Sequence, residues 1–63
     1  MRTSTYIFEI VDSAGKPLHH MSQRCDNIRA REKVVDLLED TPGAAAVFGY
    51  DQGGLSVHSA YRD

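Results

Sequence analysis

The sequence predicts a two-layer α+β domain in the order β-β-α-β-β, a four-stranded antiparallel sheet with one helix packed on one face. Three observations carry that expectation. Residues 3 to 12 and 44 to 61 alternate their apolar side chains with a period of two, the mark of strands with one buried face. Residues 26 to 40 change to a period of about 3.6, the helical one. Glycine-bearing breaks at residues 13–17 and 52–54 fall where two hairpins would reverse. A length of 63 residues allows one domain, spanning residues 1–63. Such a short chain buries only about 60% of its unfolded surface, so its core is small.

In the first strand Tyr6, Phe8 and Ile10 share one face, and Thr3, Thr5, Ile7, Glu9 and Val11 the other. Ser13-Ala14-Gly15-Lys16-Pro17 interrupts it: glycine admits the positive φ of a tight reversal, and proline donates nothing to a ladder. A second strand is expected from Leu18 to Gln23, with His19 and His20 on opposite faces. The helix runs from Asp26 to Asp40. Ile28, Ala30, Val34, Val35, Leu37 and Leu38 fall on one half of its circumference, a wide apolar face suited to lying on a sheet. Asp26 or Asn27 caps its start by accepting from free first-turn N–H groups. Thr41-Pro42-Gly43 ends it, since proline biases Thr41 away from helix and Gly43 permits a reversal. The third strand, Ala44 to Asp51, sets Ala46, Phe48 and Tyr50 against Ala45, Val47 and Gly49. Gln52-Gly53-Gly54 turns it. The fourth, Leu55 to Tyr61, sets Leu55, Val57, Ser59 and Tyr61 against Ser56, His58 and Ala60.

One helix covers one face of such a sheet and leaves the reverse open. Alternation assigns to that reverse face Ile7, Glu9 and Val11, with some of His19, His20, Phe48, Tyr50, His58 and Tyr61. Ile7, Val11 and Tyr50 make it more apolar than a solvated antiparallel face, which marks it as a contact surface. A homodimer through this face or through an edge strand would also hide that area.

Several chemistries find no support in the sequence. The longest apolar run, Ala44 to Phe48, is far shorter than the about 20 residues a bilayer span needs. No apolar segment follows Met1 to Thr5, so no signal peptide is expected. Cys25 is the single cysteine and closes no disulfide within the chain; the expected setting is cytoplasmic. His19, His20, His58 and Cys25 lack the close pairing of a zinc site, so no metal and no cofactor are expected. Gly53-Gly54 lacks the lysine and the strand-loop-helix setting of a phosphate-binding loop. Cys25 with a histidine and Asp26 is the one imaginable nucleophilic trio, but no motif supports it, and a chain this small has little room for a substrate pocket. Small tautomerases resemble the chain in length, yet they depend on an N-terminal proline where this sequence has Arg2. No catalytic residue is assigned and the protein is read as a non-enzyme.

Charge leaves two further candidates. Arg24, Arg29, Arg31 and Lys33 gather around the helix start, a possible nucleic-acid patch. A formal net charge of −2 and the acids among and beyond them oppose it. Within the helix, bases lie toward the N-terminus and Asp36, Glu39 and Asp40 toward the C-terminus, the reverse of what the helix dipole favours. With no compensation visible in the sequence, the helix ends become candidate partner contacts, Arg29 and Arg31 at one end and the three acids at the other.

The leading reading is therefore a protein-interaction module. A small acidic domain of one helix and two hairpins without a catalytic motif resembles the inhibitors that phages and mobile elements carry against host defence, the anti-CRISPR proteins among them. That resemblance implies steric blockade of a host defence protein or a nuclease complex, with Asp36, Glu39, Asp40 and Asp51 as phosphate mimics. A nucleic-acid-binding regulator using Arg24, Arg29, Arg31 and Lys33 is the second reading, and a small oligomeric enzyme the third.

Overall fold

A computed structural model describes residues 2–62. It contains five elements in the expected order: β1 (Thr3–Val11), β2 (Pro17–Asp26), α1 (Asn27–Asp40), β3 (Ala46–Tyr50) and β4 (Ser56–Tyr61). All neighbouring strands are antiparallel, and the spatial order is β2-β1-β3-β4. The two hairpins thus meet along β1 and β3, with β2 and β4 at the edges.

Register decides which side chains meet the helix. Phe8 pairs with Met21 and Gly49, and Ile10 with His19 and Val47; across the second hairpin Gly49 pairs with His58 and Val47 with Ala60. Directly opposed residues share a face, so Tyr6, Phe8, Ile10, Cys25 and Val47 point together at Ala30, Val34 and Leu38 of α1. Phe8, Ile10, Val34 and Val47 are the largest fully buried side chains, each contributing about 2 kcal/mol by leaving water. Helix and sheet come close at Gly49. A Cβ there would stand 3.3 Å from both Phe8 Cε1 and Val34 Cγ1.

The strand-to-helix junction is tighter than the sequence suggested. β2 continues past Gln23 through Arg24, Cys25 and Asp26, because β1 is long enough to pair these with Thr5, Ser4 and Thr3. No loop follows. Asp26 is both the last paired residue and the helix cap, its Oδ1 accepting from the Arg29 N–H at 2.7 Å. Asn27, the alternative cap, instead turns its Oδ1 toward His58 Nε2 at 2.8 Å, tying the helix start to β4.

The helix buries a narrower stripe than its pattern promised. Ala30, Val34 and Leu38 are enclosed and Leu37 packs partly against them, but Ile28 is 63% exposed and Val35 45%. The sheet explains the correction. The helix is seated mainly over β3 and β4, β4 is the last strand, and the flank bearing Ile28, Arg31 and Val35 overhangs the sheet edge. Its opposite flank, with Arg29 and Lys33, lies beside Gln23 of β2.

Both hairpins close in the same way. In the first, the Asp12 N–H donates to the Lys16 carbonyl and the Gly15 N–H to the Asp12 carbonyl, while Asp12 Oδ1 accepts from the Ala14 and Lys16 N–H groups at 2.9 Å. In the second, Asp51, Gly53, Gly54 and Leu55 repeat every one of these bonds. Gly15 and Gly54 take φ of 82° and 83°, the left-handed conformation that favours glycine. The shared signal, an aspartate three residues before a glycine, stands openly in the sequence.

The unfavourable order of charges in α1 finds its compensation outside the helix. The Asp26 carboxylate sits at the positive N-terminus, and the Arg62 guanidinium donates to the Leu38 carbonyl at the negative C-terminus. Both helix ends thus meet a compensating charge supplied from outside the helix.

Candidate functional site

The face turned away from the helix carries Thr5, Ile7 and Glu9 from β1. His20 and Ser22 of β2, Phe48 and Tyr50 of β3, and Ser59 and Tyr61 of β4 join them through the pairings Ile7–Tyr50, Glu9–His20, Glu9–Phe48 and Ala46–Tyr61. His19 and His58 lie on the other side. Among the described residues no helix or further strand covers this face, and Ile7 at its centre is 48% exposed.

The face has two parts. At one end Val11 and Ala46 are buried outside the main core cluster, beside Phe48 and Tyr61, whose rings meet edge to face at 5.8 Å. Val11 is only 8% exposed, so it offers little contact area itself. At the other end Ile7, Glu9, His20, Tyr50 and Asp51 line a shallow depression of about 580 Å³. That volume is larger than a chain of this size was expected to hold. It arises because the β3–β4 turn rises beside the sheet, and the depression opens broadly to solvent. Its lining combines the apolar Ile7 and the Tyr50 ring with the polar Glu9 and His20, which oppose each other across β1 and β2.

The charged candidates are not brought together. Asp51 spends one carboxylate oxygen on its own turn and lies at the open face. Asp36, Glu39 and Asp40 lie exposed on α1 in the other layer, so the four acids form no continuous phosphate-like row. The bases separate as well. Arg24 shares the open face, with its Nε donating to Thr3 Oγ1 at 3.2 Å. Arg29 and Lys33 occupy one flank of the helix among Glu32 and Asp36, and Arg31 the other flank. A basic patch read along the sequence becomes three surfaces.

Cys25 faces the core at the Ser4 end of the sheet, whereas His19 pairs with Ile10 and His20 with Glu9 toward the opposite end. His19 and His20 thus stand away from the thiol, and the third histidine, His58, has its Nε2 engaged with Asn27 Oδ1 at 2.8 Å. Burial pushes the Cys25 thiol above its ordinary 9.0; the adjacent Asp26 carboxylate adds to this, and Lys33 and Arg29 oppose it without reversing it. A thiol held protonated is a poor nucleophile. Among the described residues no group of three or more His, Cys, Asp and Glu is placed to hold a metal ion, and no helix is long and apolar enough to cross a membrane.

Comparison with protein-family models, curated proteins and solved structures finds no match. What the chain does must be argued from its own surfaces. Of these, the open face holds Ile7 and Glu9, which alternation assigns to it, together with Tyr50, His20, Phe48 and Tyr61, whose side only the pairing register settles.

Proposed function

We propose that this chain is a non-enzymatic interaction module that docks on another protein through its open sheet face. The observation that supports this reading is the half-exposed Ile7 beside Tyr50, framed by Glu9 and His20, on a face that no helix or strand among the described residues covers. An apolar centre with a polar rim is the composition of a docking surface. Inhibition of a host defence protein or nuclease complex in the cytoplasm is the specific form that the resemblance to phage-borne inhibitors suggests. In that form it acts by covering a surface and not by imitating nucleic acid, because the acids are divided between two layers.

The test is capture from extract of the host with and without nuclease treatment, using the wild-type chain, Ile7→Asp and Tyr50→Ala, each checked for unchanged circular dichroism. A protein retained by the wild type and reduced at least about tenfold by both variants is the expected result, a loss of about 1.4 kcal/mol. Equal retention by all three, or retention only while nucleic acid is intact, overturns the reading.

A further inference from the structure

A second interaction surface lies at right angles to the open face, along β4. We infer that β4 is the seam of a homodimer, pairing antiparallel with β4 of a second copy so that the two sheets become one. The two edges of the sheet are treated differently. β2 begins with a proline and carries Arg24 and Asp26, devices that discourage an edge from pairing; a register irregularity is common to both edges, at Val11 against β2 and at Tyr50 against β4. β4, Ser-Val-His-Ser-Ala-Tyr, has no proline and no formally charged side chain. Exposed apolar groups lie along this flank: Leu55 and Val57 in or next to β4, and Ile28 and Val35 on α1.

The flank is self-complementary. The helix runs alongside β4, tied at its start by Asn27 to His58 and near its end by Leu38 to Arg62. A two-fold axis crossing β4 near Ser59 and Ala60 therefore also passes beside the middle of α1. About such an axis the helices lie antiparallel on one side of the joined sheet. Ile28 then faces Val35 of the second copy, and Arg31 faces Glu32 of the second copy. One operation matches apolar to apolar and base to acid, as a closed two-fold interface requires. Arg31, which has no place in the buried stripe of the helix, acquires a partner. The arrangement leaves the open face of each copy free, so it stands or falls independently of the docking proposed above.

Sedimentation equilibrium of the full chain from micromolar to millimolar concentration tests it, with wild type beside Val57→Lys, Val35→Glu and the open-face control Ile7→Lys. The wild type is expected to approach twice the 7.0 kDa chain mass. Val57→Lys and Val35→Glu should each weaken association at least about tenfold, with Ile7→Lys unchanged. Amide exchange read residue by residue should show slowed outward-facing N–H groups in β4 of the wild type alone. A wild type that stays at the single-chain mass at millimolar concentration overturns the inference. So does a dimer that Ile7→Lys dissociates and the β4 and helix variants leave intact.

Discussion

At Gly49 the missing side chain is itself a packing requirement. Phe8 and Val34, which a Cβ would meet at 3.3 Å, are both enclosed by the core and have little room to give. Gly49→Ala should therefore lose about 1–3 kcal/mol through overpacking, more than the fraction of a kcal/mol that alanine gains over glycine in a strand. Urea denaturation measures this as a lowered midpoint, and Gly53→Ala, near only Asp51 Oδ1 at 3.4 Å, should stay close to wild type. Cys25 sets a pH limit. Its thiol is raised by burial and by Asp26, so the folded chain keeps a proton that the unfolded chain releases above about pH 9. The stability tied to that proton is complete below the ordinary thiol value and fades as pH rises through the folded one. Denaturation at pH 7 and pH 10 should show the wild type losing stability relative to Cys25→Ala at the higher pH.

At the scale of elements, the helix depends on two charged residues that do not belong to it. Asp26 is the last residue of β2, and Arg62 follows β4. Removing the guanidinium from the Leu38 carbonyl in Arg62→Ala should cost about 1 kcal/mol. Arg62→Lys should recover part of this, and added salt should shrink the difference, since the site is only part-buried. Thermal denaturation at low and high ionic strength reads both effects. Element boundaries were legible wherever a local rule decided them: the Asp26 cap, the Pro42-Gly43 stop, the glycines of the turns. The extension of β2 to Asp26 was not, because it depends on the length of β1, some twenty residues away. The shared Asp-x-x-Gly of the two turns stands in the sequence, but the role of Asp12 and Asp51 emerges only from the bonds their carboxylates accept from the turn amides.

For the whole molecule, periodicity was enough for the layers and the core, since Tyr6, Phe8 and Ile10 follow the strand alternation inward and Val34 the helical period. Neighbour relations were beyond it. Which histidine shares a face with Glu9, and whether Asp51 stands with Asp36 or with Tyr50, follow from the register between hairpins, a long-range property that no local window contains. The same holds for Ile28 and Val35, whose exposure reflects where the sheet stops and not any feature of the helix. Charge groupings read along the chain fared worst, because a helix and a strand scatter neighbours in sequence onto separate surfaces.

β1 and β4 run in the same direction with β3 between them, so Thr3 and Tyr61 sit at opposite ends of the sheet. Tension applied between those two points loads the rungs on both sides of β3 in shear, all of them sharing the force. Gripped instead at Val11 and Tyr61, which lie at the same end, the ladder would peel one rung at a time. Any machine that pulls on this chain thus meets very different mechanical resistance depending on where it takes hold.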